Sequence, residues 1–547
     1  MNRNYENHFN NIPILEKPRS KFHMPKKHAT TFNVGQLIPF YSKLVYPGDN
    51  ISIKTNFVVR TTTPIKAPMD MSWIDTYYFF VPFRLVWKNF KRFMGENDLT
   101  AWEQPVEYTI PQIIAPTGGW AHKTLADHFN IRPGVENISV TSMKFKMYAK
   151  IYNDWFRNQN VQDGLMINDD DETLVGSNGD NYVTHVQLGG MPMKVCKFND
   201  YFTSCLPEPQ KGPDVLLPLG TSAPVYGNGK ALLFTDGDVV RNLTQDGTGT
   251  IRSTTNSNLE TGATIGGYNG FTSDKALGLA DQGDNGMFVD LTRATSATIN
   301  NLRQAIAIQQ LFELDARGGS LYYQIIENHF GVKSSDARLQ RSEYLGGQRM
   351  PMNIVQVAQT SETTQSSAQG NIAGYSLTVD SHDDVSFAAE EHGYIIGLTC
   401  VRTNHTYQQG IAREDSYKDR LDFYWEALNG IGEQAVLNKE IYVQGNEKDD
   451  EVFGYQERYV EMKTDFNTIA GEFRDSYEQS LKAWQYADYY DQLPSLSPDW
   501  ITETPVNMDK TLQVTSEIAD QIQGDFYIDA TYVRVAPMYS NPGLERL

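Results

Sequence analysis

Stretches that alternate apolar and polar residues stand near both ends of this chain, and they commit it to a core built from sheet. Ile51, Ile53, Phe57 and Val59 share one face at period two, with Lys54, Asn56 and Arg60 opposite. Pro47, Gly48 and Asp49 supply a turn before that strand. The last clear strand runs from Phe526 to Val535. Two denser apolar runs, Tyr77 to Val81 and Tyr394 to Val401, read as buried strands. Pro82 stops the first of them. The core therefore draws strands from both ends of the chain.

Composition agrees with this. The chain has 547 residues, of which 40% are hydrophobic and 12% aromatic, with 30 Tyr and 26 Phe. That is ample material for a core, and the aromatic bias favours sheet and broad contact surfaces over helix bundles. Three cysteines, Cys196, Cys205 and Cys400, form no CxxC, which disfavours a disulfide framework or a cysteine zinc site. No apolar run approaches the roughly 20 residues needed to span a bilayer, and the polar start from Met1 to Asn11 is unlike a secretory signal. A reducing compartment and no membrane insertion are expected.

Between the strands lie other elements. Val86, Phe90, Phe93 and Met94 fall at helical spacing, with Gly95 placed as a C-cap. Phe145, Tyr148, Tyr152, Trp155 and Phe156 mark a second amphipathic helix, and both aromatic stripes read as core. Ile299, Leu302, Ile306 and Leu311 mark a third, ended by Gly318 and Gly319, and a fourth runs from Leu321 to Phe330. Of the 77 residues from 220 to 296, 36 are Gly, Thr, Asn or Ser, so that stretch reads as a surface insertion of short strands and turns. Alternating βαβ units do not occur. A sandwich or jelly roll with large insertions fits best.

Charge narrows the partners. The formal net charge is −20, so the average surface repels nucleic acid. Residues 1–28 are the exception. Arg3, Lys17, Arg19, Lys21, Lys26 and Lys27 oppose only Glu6 and Glu16, which leaves +4 on this arm and −24 on the remainder. Such an arm is either an ordinary solvated tail or one that lies against phosphate or a neighbouring subunit.

A search for chemistry returns little. There is no Walker A loop, HExxH, GxSxG or kinase set. Gly247 and Gly249 begin a dinucleotide pattern, but Arg252 stands where its third Gly belongs. The run Asp169, Asp170, Asp171 and Glu172 lacks the alternation of a calcium loop and reads as a solvated loop. The pairs Asp383–Asp384 and Glu390–Glu391 are adjacent residues, which a strand points to opposite faces, so they do not form a glycosidase pair. No enzyme, cofactor or metal is expected. A carbohydrate-binding β-sandwich is the alternative from another class, with Tyr and Trp for sugar stacking.

Several segments together resemble the major capsid proteins of the microviruses, most closely the gokushovirus branch. They are HATTFNVGQLIPFY from His28, DTYYFFVPFRLVWKNFKRFMGEN from Asp75, YNDWFRNQN from Tyr152 and DYFTSCLPEPQKGP from Asp200. LRQAIAIQQLFELDARGG from Leu302, DARLQRSEYLGG from Asp336, EHGYIIGLTCVR from Glu391, VFGYQERY from Val452 and PMYSNPGL from Pro537 follow in order. The resemblance implies an eight-stranded antiparallel jelly roll with long insertions. It implies a T=1 shell around circular single-stranded DNA, assembled in a bacterial cytoplasm. Partners implied are further copies of the chain in pentamers and shell, a small basic DNA-packaging protein, scaffolding and pilot proteins, and a host receptor. It also places residues 220–296 as a three-fold protrusion, where Asn256, Asn258, Tyr268 and Phe271 are candidates for host attachment. The basic arm is expected to face inward or to lie under a neighbour.

Overall fold

A computed structural model describes residues 18–97, 107–213, 299–319, 321–358 and 372–539, with short stretches between them. The chain divides into two compact units, Met1–Pro209 with Asp315–Leu547, and Gln210–Leu314.

The first unit is organised by nine strands: β1 (Ser20–His23), β2 (Lys26–Phe32), β3 (Ile38–Val45), β4 (Asn50–Thr61), β5 (Ser72–Pro82), β6 (Glu343–Pro351), β7 (Thr378–Ala388), β8 (Gly393–Thr403) and β9 (Ile522–Arg534). They form two antiparallel sheets. In one, β9 pairs with β1 and β2 on one side and β4 on the other, and β4 pairs with β7. The other has the order β6-β5-β8-β3. β1 and β2 lie end to end along β9. Met24 still donates to the Ala530 carbonyl, but Pro25 has no N–H to give, so the ladder breaks there.

The inner faces of the two sheets share one core. Ile51, Ile53, Phe57 and Val59 on β4 and Ile522, Phe526, Ile528 and Tyr532 on β9 meet Phe40, Tyr78, Phe80 and Ile395 from the other sheet. This is a β-sandwich, and the inward set on β4 is the face its alternation predicts. Phe40 and Phe526 stack across it with ring centroids 4.8 Å apart. Two polar contacts also bridge the sheets: the Tyr41 and Tyr532 hydroxyls are 2.6 Å apart, and Thr55 Oγ1 is 2.7 Å from the Tyr78 hydroxyl. Each satisfies a buried hydroxyl that would otherwise cost stability.

The β5 and β8 sheet is buried on its second face as well. Phe79, Val81, Ile396, Leu398 and Cys400 pack there against Trp120, Phe145, Tyr148 and Ile151. Helix α1 (Met143–Ile151) supplies part of this cover. That double burial is why Tyr77–Val81 and Tyr394–Val401 are nearly continuous apolar runs. Burial also pushes the Cys400 thiol up to about 12.

Two helical expectations are corrected. The first aromatic stripe forms a single turn, Phe90–Phe93, and Phe93 and Met94 stay exposed. One turn has too few internal hydrogen bonds to carry a stripe. The second ends as an α-helix at Ile151 and continues as a π turn, Tyr152–Phe156. Trp155 on this turn is 37% exposed, with its ring centroid 5.7 Å from Phe79 and 5.6 Å from Tyr344.

A buried ionic cluster fixes the segment after β8 to residues near 490 and 500. His405 Nδ1 lies 3.0 Å from both Asp488 oxygens, and its Nε2 lies 3.0 Å from Glu503 Oε2. Thr403 donates to Glu503, Tyr490 to Asp488, and Lys197 Nζ is 3.4 Å from Asp488. Burial alone would lower the pKa of His405, but Asp488 and Glu503 outweigh it and raise it to about 10. Burial likewise opposes charge on Asp488, yet His405 and Lys197 hold it well below the ordinary carboxylate range. Gly35 belongs to the same seam. Its φ is +85°, and a Cβ there would sit 2.4 Å from the Glu503 carbonyl oxygen.

The second unit holds short antiparallel pairs. Val225–Gly227 pairs with Met287–Val289, and Val240–Gln245 lies between Leu233–Thr235 and Ile251–Ser253. Helix α2 (Ile299–Gly318) begins in this unit. Helix α3 (Tyr322–Phe330) follows and ends at Gly331, whose φ of 67° is the left-handed cap expected there.

Candidate nucleic-acid interface

The basic arm becomes, in part, the edge of a sheet. Arg3 and Lys17 lie outside the described residues. Arg19 and Lys21 are exposed, the latter on β1. Lys26 and Lys27 open β2, and strand alternation sends them to opposite faces. Lys27 faces solvent and pairs with Asp525 at 2.9 Å. Lys26 is half-buried, with its ammonium 5.8 Å from the Tyr41 ring centroid. Burial lowers its pKa, and Lys43 lowers it further.

β2 is paired on one edge only, and a groove of about 880 Å³ runs along the strand. Lys26, Lys27, Arg60 and Lys123 line this groove, against Asp127 and Asp525. Lys123 bonds Asp520 at 2.9 Å, and the Thr31 hydroxyl donates to the same carboxylate at 2.6 Å. His28 and His128 also line it. Burial lowers the pKa of His28 to about 4, helped by Lys26 and His128, and burial lowers that of His128. Both imidazoles are therefore neutral at pH 7. His128 Nδ1 lies 3.2 Å from Thr30 Oγ1, while His28 Nε2 is buried without a hydrogen-bond partner. With Asp520 counted, four cations face three carboxylates, so the groove is locally less acidic than a chain at −20 is on average.

Of the residues that line the groove, sequence reasoning singled out Lys26 and Lys27 but not Lys123 or His128. Arg60 was placed on the outer face of its strand, but nothing local ties it to the arm. The link is β9, which seats β2 and β4 on its two edges. Asn256, Asn258, Tyr268 and Phe271 lie outside the described residues.

The side chains of Asp383 and Asp384 lie outside the described residues, while Glu391 and the run at Asp169–Glu172 have structural partners. Glu391 receives two bonds from Arg84, at 2.5 and 2.9 Å. The run at Asp169–Glu172 is exposed, as expected of a solvated loop, but it also docks residues 87–89. Asp170 pairs with Lys88, and Asp171 accepts from the Trp87 indole at 2.5 Å and from Asn89 at 2.7 Å. Among the described residues no helix is long and apolar enough to cross a membrane.

Comparison with known proteins places this architecture. Residues 10–544 match the family described as capsid protein (F protein). The chain is 43% identical to capsid protein VP1 of Spiroplasma virus 4, over 97% of this chain and 96% of that protein. It is 38% identical to capsid protein VP1 of Bdellovibrio phage phiMH2K, over 99% of this chain and 98% of that one. For capsid protein VP1 of Chlamydia phage 1 the identity is 33%, over 99% and 98%. The match runs through all the segments from His28 onward that carry the microvirus resemblance. The chain belongs to the phage capsid protein (F protein) family.

Proposed function

We propose that this protein is the structural subunit of a T=1 icosahedral shell of about sixty copies, built through pentamers around circular single-stranded DNA. The observation that carries this reading is relatedness along nearly the whole chain to capsid proteins VP1 of three phages. The two sheets are read as an eight-stranded jelly roll, with β1 and β2 as one strand interrupted at Pro25. What supports it is that the strands alternate between the sheets in chain order from β2 to β9, except that β5 and β6 are neighbours in one sheet. Assembly takes place in the bacterial cytoplasm and the product is the virion. A small basic protein neutralises part of the genome, and scaffolding and pilot proteins assist.

The groove of Lys26, Lys27, Arg60 and Lys123 holds DNA phosphates on the inner side of the shell, continued by the arm through Lys21 and Arg19. The mass of particles formed with the phage's other structural proteins, measured by light scattering, is expected to correspond to about sixty chains. Monomers or pentamers alone would refute the shell. Changing the four groove cations to Gln is expected to lower the DNA content of particles. It should also reduce the slope of log K against log salt for single-stranded DNA by up to about 3. Unchanged DNA content and slope would remove the groove from this role.

Residues 220–296 are read as a protrusion at the three-fold axis that serves host attachment. Deleting residues 236–290 is expected to spare the circular dichroism of the subunit and to reduce phage adsorption at least ten-fold. Particles that adsorb normally after this deletion would end that reading.

A further inference from the structure

We propose that the first four turns of α2 are an interface between copies of this chain, each helix seated against two others at once. The proposal rests on the shell reading above and goes beyond it by naming the surface. α2 has 20 residues and so is about 30 Å long. Its large aliphatic side chains are not buried within the subunit. Ile299, Leu302, Ile306, Ile308, Leu311 and Leu314 are 38–71% exposed.

Their placement around the axis is the decisive feature. At about 100° per residue, Ile299, Leu302 and Ile306 share one side. Leu311 and Leu314 lie further round, and Ile308 stands opposite the first group. A helix on the surface of a lone subunit keeps its apolar residues in one stripe, whereas a helix that is apolar all round is buried. One neighbour covers one side. Exposed aliphatics on several sides need at least two neighbours, which identical copies supply by closing a ring.

Charge selects the occupant. Copies of a chain at −20 repel one another on average. Residues 299–314 carry only Arg303 and Glu313, which cancel, and their other polar residues are Asn300, Asn301, Gln304, Gln309 and Gln310. Acidic copies can therefore meet here without repulsion. A basic protein finds no net negative charge on these turns, and nucleic acid finds no basic cluster. Depletion of charge is also what the centre of a protein interface requires.

The test uses whole particles. Ile306→Cys particles treated with a short thiol-reactive crosslinker are expected to yield two-chain and three-chain species, absent from particles of the unaltered chain. Single chains only would overturn the proposal, as would crosslinks solely to another virion protein. Leu302→Asp and Leu311→Asp, both at exposed positions, are expected to leave the melting of the subunit unchanged and to cut particle yield at least ten-fold. Unchanged yield would also overturn it. If the unaltered chain forms no particles beside its partner proteins, the shell reading fails and takes this contact with it. If those particles form and Ile306→Cys gives no multi-chain species, the contact alone fails.

Discussion

Replacing Asp488 with Ala is expected to destabilise the subunit by about 3–5 kcal/mol, because it strands buried cations without a counter-charge. The His405 imidazolium and the Lys197 ammonium both rely on this carboxylate, and both are almost fully buried. Urea unfolding followed by Trp fluorescence measures the loss, and a change below about 1 kcal/mol would mean that water or Glu503 compensates. The cluster also gives stability a pH dependence. The pKa of His405 is higher in the fold than the ordinary 6.5, at about 10. Its contribution is therefore complete below pH 6.5 and fades as pH rises through about 10. Asp488 is shifted down, so its contribution is present above the ordinary carboxylate pKa of 3.8 and fades as pH falls. The gap in melting temperature between the native chain and His405→Gln should be widest near pH 5–6 and close towards pH 10. A gap that does not change over this range would mean that His405 is neutral in the fold.

Phe526→Ala is expected to cost a similar amount, about 3–5 kcal/mol, for a different reason. The Phe526 ring stacks on Phe40 at 4.8 Å and tilts against Phe57 at 5.9 Å, fully buried between the sheets. Its removal leaves a cavity bounded by two hydrogen-bonded sheets, which cannot collapse into it. Phe526→Leu keeps most of the volume and is expected to cost less than half as much. Equal losses for the two variants would point to the ring stack itself and not to the filled space.

Local pattern announced the pieces of this fold more clearly than their partnerships. The alternation at Ile51–Val59 and the dense runs at Tyr77–Val81 and Tyr394–Val401 are direct imprints of one-sided and two-sided burial. Nothing near Lys27 announces that it will share a groove with Lys123 and Arg60, because strand pairing across some 500 residues leaves no local trace. His405, Asp488 and Glu503 were invisible for the same reason: they are far apart in sequence, with no motif spacing between them. The π turn at Tyr152–Phe156 was illegible because helical spacing assumes one constant phase. The capsid resemblance was legible because it rests on whole strings of residues and needs no pairing to be known.

The place of β9 has a consequence for how the protein is made. This strand leaves the ribosome after every other strand of the two sheets, yet it pairs on both edges in its sheet. Until residue 522 emerges, β2 has no partner in that sheet, and one edge of β4 is open. Contacts so distant in sequence close slowly, so this sheet is completed later than the other one. Its waiting edges are templates for misassociation until then. The same order excludes defective goods. A polypeptide broken off before residue 522 cannot complete the sandwich, so premature termination yields no subunit able to enter and spoil a growing shell.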